Sequence, residues 1–193
     1  MSEILYKHAF LAVPLPNYLE EQFFEIQEKF NRVRTYIKPV DRKIPHCTIL
    51  YFNNQKETEF KQISEKLLDI FDHKPELKNT IIQFDGFGKF ENEKIHYFIK
   101  IATTPSLITL HNQLEQDLSV FSIRKMHENF YPHITIGKTN RTDFDTDSIN
   151  LSEIESLINK PTVSFTVYEL GLYGKDITQR NPHQELLKII PVK

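Results

Sequence analysis

Two short strings bring together the residues best equipped for chemistry: PHCTI at 45–49 and PHITI at 132–136, their histidines 87 positions apart (133 − 46). Each is apolar except for its histidine and threonine, a strand-like composition in which the polar pair needs a reason. Side chains on a strand alternate between faces, so His46 and Thr48 share one face while Cys47 and Ile49 take the other. The same alternation joins His133 to Thr135 and sets Ile134 and Ile136 behind them. With the two strands side by side, two imidazoles and two hydroxyls would line one cleft. That set suits phosphodiester chemistry. A neutral imidazole can take a proton from water or a hydroxyl while an imidazolium protonates the departing alkoxide, because histidine exchanges its proton near neutrality. Threonine hydroxyls can donate to the non-bridging phosphate oxygens, where charge accumulates. Each acid or base is worth about 10²–10⁴ in rate. Two together suffice best for a reactive substrate, such as a 2′,3′-cyclic phosphate or an ester beside a 2′-hydroxyl, and RNA ends supply both.

Other chemistries lack their residues. A zinc site needs three or four protein ligands, and the single cysteine would have to recruit His96 or His111, which have no ligand spacing; no metal is expected. Cys47 adjoins His46, yet parity turns its sulfur away, so it reads as a buried core residue. His96 on a hairpin strand and His111 on a helix read as structural, and His8, His73, His127 and His183 as surface or packing residues. The GxSxG, P-loop and GxGxxG strings are missing, so serine-hydrolase, P-loop and dinucleotide-binding readings lack support and no cofactor is implied. The acids of DFDTDSIN (143–150) lack the glycine and glutamate of a calcium loop.

The elements that must position these residues follow from periodicity. YKHAFLAV (6–13), closed by Pro14 and Pro16, predicts a first strand. Asn17 and Glu20 have capping-box spacing, and Leu19, Phe23, Ile26 and Phe30 predict a helix from about 17 to 31. A strand at 44–52 follows, then an amphipathic helix marked by Phe60, Ile63, Leu67, Ile70 and Phe71 that stops before Pro75. Two β-rich runs flank ENE (91–93) as a hairpin. Thr104 and Pro105 open a helix whose stripe is Leu107, Leu110, Leu114, Leu118 and Phe121. YPHITIG (131–137) is a strand, the polar 139–150 a loop, 152–159 a short helix, and 162–173 with 184–192 a closing pair of strands. This order lacks strict βαβ alternation and predicts α+β with largely antiparallel sheet.

The chain's 193 residues suffice for a sizeable core. A net charge of −2 argues against gripping long nucleic acid by phosphate neutralisation, though it leaves room for a local basic pocket. One cysteine allows no intrachain disulfide and fits a reducing compartment. Charged residues interrupt MSEILYKHAFLAVPLP where a signal peptide needs an unbroken apolar core, and no run approaches spanning length. A cytoplasmic monomer without a membrane or an obligate protein partner is expected.

The paired motifs resemble those of the two-histidine (2H) phosphoesterases, which include 2′-5′ RNA ligase-like proteins and 2′,3′-cyclic nucleotide phosphodiesterases. The likeness extends to FLAVPLP, FGKFENEKIHYFIKI, LITLHNQLEQDL and VSFTVYELGLY, nearly the whole chain. It implies one domain over 1–193 made of two intertwined lobes: two largely antiparallel sheets, helices outside, a pseudo-twofold, and one His-x-Thr strand per lobe. It implies His46 and His133 as catalytic residues and Thr48 and Thr135 as phosphate ligands. The N-terminal histidine would protonate the leaving oxygen and the C-terminal one activate water. Lys138 is the candidate for a basic residue after the second motif, but strict parity points it away unless Gly137 permits a bulge. Tyr173 and Phe130 are candidates to stack on a base. The hairpin departs from the family pattern in having Tyr97 where tryptophan is frequent, as does the loop GKDITQRNPH after Tyr173. The implied partners are RNA ends or small nucleotides with a cyclic phosphate or 2′-5′ linkage, with reverse ligation as a second activity. The rival expectation is a non-catalytic RNA- or nucleotide-binding module on the same fold.

Overall fold

The computed structural model describes residues 3–33, 38–39, 45–91, 93–125, 129–140, 163–180 and 183–192. The chain runs β1 (Leu5–Pro14), α1 (Asn17–Val33), β2 (Lys38–Pro39), β3 (His46–Phe52), β4 (Gln55–Lys56) and α2 (Glu57–His73). It continues with β5 (Ile81–Glu91), β6 (Lys94–Ile101), α3 (Pro105–Asp117), β7 (Ile123–Arg124), β8 (His133–Asn140), β9 (Ser164–Thr166), β10 (Glu169–Asp176) and β11 (Glu185–Pro191). The expected short helix at 152–159 and most of the expected loop at 139–150 lie outside the described residues. At the start of α3 the local chemistry follows the sequence signal. Thr104 Oγ1 accepts the Leu107 N–H (3.3 Å), Pro105 occupies the first turn, and Leu107, Leu110 and Leu114 are fully buried. Burying each such leucine contributes about 1.5–3 kcal/mol. The stripe carries on past the helix, with Leu118 at the junction and Phe121 closing the 3₁₀ turn Ser119–Phe121.

The strands form one antiparallel path, β11-β10-β1-β3-β8-β6-β5-β9, with β4 on β1, β7 on β3 and β2 on β8. The expected α+β class holds. The two expected sheets are continuous, joined where β3 meets β8 through the pair Cys47↔Ile134. Either side of that seam the order mirrors itself: β1 and β10 flank β3 as β6 and β5 flank β8. The helices cross over, for α1 follows β1 yet packs on β8, and α3 follows β6 yet packs on β3. The region 162–173, expected as one strand, is two. β9 pairs with β5 towards one end of the path and β10 with β1 and β11 towards the other, with Val167 and Tyr168 between them. The linking Val167 and Tyr168 are themselves strand formers and no proline or glycine separates the pieces, so composition alone gives no sign of the break.

Cys47, Ile49, Leu50, Ile134 and Ile136 belong to the main core. The opposite face of the sheet carries the motif polar groups and a second, aromatic cluster of Phe10, Ala12 and Tyr173 with Tyr51. The two faces are thus divided as the alternation of the motifs requires.

Candidate active site

Counting outward from Cys47↔Ile134 sets His46 opposite Thr135 and Thr48 opposite His133. All four are half-buried on the face away from the core, while Cys47 and Ile134 between them are fully buried. Directly opposed residues stand about 5 Å apart at Cβ and diagonal ones about 7–8 Å. The two histidines therefore face one another across a diagonal, each with the other strand's threonine beside it. A phosphate above this square meets an imidazole and a hydroxyl from either side.

Each imidazole is backed by aromatic rings on neighbouring strands. His46 stacks on Phe10 (centroids 4.6 Å, 26°) and Tyr173 (5.2 Å, 28°). His133 lies against Phe98 (5.0 Å) and edge-on to Phe90 (5.2 Å). Gly88 sits opposite Phe98 in register, and its missing Cβ leaves the space that the Phe98 ring fills. His133 Nδ1 lies 2.8 Å from the Tyr131 carbonyl oxygen. A carbonyl only accepts, so Nδ1 carries the proton and donates it, leaving Nε2 as the ring position that takes or gives a proton in a reaction. The backing phenylalanines were missed in the sequence, yet a signal existed: His8-Ala9-Phe10-Leu11 and His96-Tyr97-Phe98-Ile99 are a second repeat, 88 positions apart (96 − 8).

The strand pairings carry a further repeat. On β3, Thr48 pairs with Ala12 and Leu50 with Leu11, so Ile49 is the extra residue of a bulge. On β8, Thr135 pairs with Phe98 and Gly137 with Tyr97, so Ile136 is the extra residue of another. In both strands the bulge follows the motif threonine, and a helix side chain takes its carbonyl. Gln27 Nε2 on α1 donates to the Ile136 oxygen (2.8 Å), and His111 Nδ1 on α3 donates to the Ile49 oxygen (3.0 Å). His111 is a positioning residue in this arrangement as well as a packing one.

The bulges reset parity. Lys138 pairs with His96, which shares its face with Phe98, so Lys138 is turned onto the site face by the bulge its placement required. His96 is held below its ordinary pKa by burial and by Lys138 and Lys94, a sign of clustered cations there. By the same logic Tyr51 turns onto the site face and joins Phe10 and Tyr173; the sequence reading did not single it out. Tyr173 sits beside His46 but is 1% exposed. It therefore braces the imidazole and offers no open face to a base, which corrects its expected role. Burial pushes its hydroxyl up to about 12. Phe130 stacks on His111 (4.0 Å, 5°) and lines a cavity next to Thr48 and His133. Cys47 is fully buried, and burial pushes its thiol up to about 12, as befits a core residue. Among the described residues no three His, Cys, Asp or Glu side chains converge as a metal cluster, and no helix is long and apolar enough to cross a membrane.

Mirrored His-x-Thr strands thus meet at the seam of a continuous antiparallel sheet. The chain belongs to the 2′-5′ RNA ligase superfamily, whose family model matches residues 23–177. Among solved structures it is similar to E. coli LigT in apo form, at 18% identity over 98% of both chains with a TM-score of 0.65. It is also similar to TT0787 of Thermus thermophilus, at 20% identity over 96% of this chain and 97% of that one with a TM-score of 0.66. Usb1 of Kluyveromyces marxianus, solved with uridine monophosphate, is more distant: 13% identity over 95% and 98%, TM-score 0.53. These likenesses show the fold. No curated protein matches the chain by sequence.

Proposed function

We propose that this protein is a phosphodiesterase that hydrolyses 2′,3′-cyclic phosphates or 2′-5′ linkages of RNA ends or small nucleotides, by two-histidine general acid–base catalysis without a metal. The observation that carries the reading is the square of His46, Thr135, Thr48 and His133 on one face of the β3–β8 seam. His133 Nε2 takes the proton of an attacking water, its Nδ1–H held by the Tyr131 carbonyl. His46, as imidazolium, gives its proton to the departing ribose oxygen. Thr48 and Thr135 donate hydrogen bonds to the non-bridging oxygens, and Lys138 adds positive charge on the same face. Run in reverse, with a hydroxyl end replacing water, the same groups join RNA ends. LigT has been solved with 3′-AMP and with NADP+, and Usb1 with uridine monophosphate, which supports a ligand of nucleotide size.

The test is incubation with 2′,3′-cyclic nucleoside monophosphates, 2′-5′ dinucleotides and 3′-5′ controls in EDTA. Hydrolysis should survive EDTA, follow a bell-shaped pH profile, and fall by at least about 10² in His46→Ala and in His133→Ala. Turnover that survives both substitutions, or that requires added zinc, would overturn the mechanism.

A further inference from the structure

Past Cys47↔Ile134, β3 and the segment 129–133 enclose a cavity of about 240 Å³ whose wall includes Thr48, Tyr51, Arg124 and His133. Three of these belong to the site face already described, so the cavity opens directly from the position of the reacting phosphate. The stacked rings of His111 and Phe130 also line it. Its volume is below the roughly 300–1,000 Å³ of pockets for drug-sized ligands. That room suits one nucleoside unit and is too small for an oligomer.

Arg124 gives the cavity a direction. It pairs with Tyr51 across β3 and β7, and residues directly opposed in an antiparallel pair point to the same face. Its guanidinium is thereby assigned to the site face, about 10 Å along β3 from Thr48 at the strand rise. The neighbouring Lys125 is engaged by the cavity's carboxylate, Glu115, at 3.2 Å. Among the described residues lining the cavity, Arg124 is exposed and is the cation this arrangement leaves for a ligand. A guanidinium suits a phosphate particularly well, since its planar fork can donate two parallel hydrogen bonds.

We infer that this cavity holds the nucleoside attached to the reacting phosphate and that Arg124 binds a second phosphate at the far side of that nucleoside. The preferred substrate is then a nucleoside 2′,3′-cyclic phosphate that also bears a 5′-phosphate, as a free nucleotide or as the end of a chain. This rests on the phosphodiesterase reading above and adds to it a requirement for the second phosphate.

The experiment compares kcat/KM for adenosine 2′,3′-cyclic phosphate with and without a 5′-phosphate, in the wild type, Arg124→Gln and Arg124→Lys. A hydrogen-bonded charge pair predicts a wild-type preference of at least about tenfold for the 5′-phosphorylated substrate. The preference should shrink at high salt, collapse towards one in Arg124→Gln and be partly kept in Arg124→Lys. A wild-type ratio near one, or a ratio that survives Arg124→Gln, overturns the inference. Calorimetric binding of adenosine 3′,5′-bisphosphate and 3′-AMP separates this failure from that of the catalytic reading. Tighter binding of the bisphosphate that depends on Arg124 upholds the subsite even where neither cyclic substrate is hydrolysed; equal binding of the two ligands rejects it.

Discussion

Replacing Gln27 by methionine should damage catalysis while leaving the fold almost as stable. Gln27 is 2% exposed; its Nε2 holds the bulge carbonyl of Ile136 at 2.8 Å, and its Oε1 has no hydrogen-bond partner among the described residues. Methionine has nearly the same shape and no donor. Loss of the bond leaves a buried carbonyl unsatisfied, at a cost of about 1–3 kcal/mol. The same change removes a buried unpaired amide oxygen, which returns about the same amount. The two nearly cancel, so Tm should move by no more than about 4 °C. The active site has no such compensation. Ile136 follows Thr135, and the bulge sets both the threonine and Lys138, so a released bulge misplaces two groups of the site face that the proposed mechanism turns towards the phosphate. A displacement of 1 Å can cost about 10² in rate. The assay is kcat/KM on a 2′,3′-cyclic nucleotide beside thermal denaturation, with Ser64→Ala on α2 as a control whose hydroxyl bonds within its own helix, to the Phe60 carbonyl. Wild-type kcat/KM in Gln27→Met, or a loss of activity that merely tracks a large fall in Tm, would refute the reasoning.

Cys47→Ala should keep activity and cost on the order of 1 kcal/mol, since a small fully buried side chain is trimmed on the core face. In the native wild type the thiol should resist alkylating reagents and react only on unfolding, because it is buried and its pKa is pushed up to about 12. Rapid labelling of the native protein would contradict this. His111 is held below its ordinary pKa chiefly by burial, so the unfolded chain takes up a proton there before the folded one does. Stability should therefore be full above about pH 6.5 and decline as the pH falls from there towards the folded value. Denaturant titrations at a series of pH values should show a shallower decline in His111→Gln, which puts an amide where its counterpart Gln27 already carries one. An unchanged slope would rule out His111 as a contributor.

The motif threonines and histidines were legible because strand alternation is local: two positions apart means the same face, and apolar neighbours mark the face that is buried. Cys47 and Ile134 behave as that rule demands. The leucine stripe of α3, with its Thr104 cap, was equally local. The division of 162–173 into β9 and β10 was not, because Val167 and Tyr168 between them are strand formers too and the break rests on which distant strand each half meets.

Lys138 shows where the limit falls. Parity read from the sequence turns it away from His133, and only an extra residue at Ile136 brings it back. Whether a strand admits that residue depends on a donor for the stranded carbonyl, and Gln27 Nε2 supplies it from 109 positions away in the chain. His111 does the same for Ile49 across 62 positions, and Tyr51 follows onto the site face. The sequence by itself determined which residues could react and which side of a strand they share. Tertiary structure alone decided where these two strands bulge, and so which further side chains turn onto the site face, because a buried backbone group exposed by a bulge needs a neighbour to satisfy it.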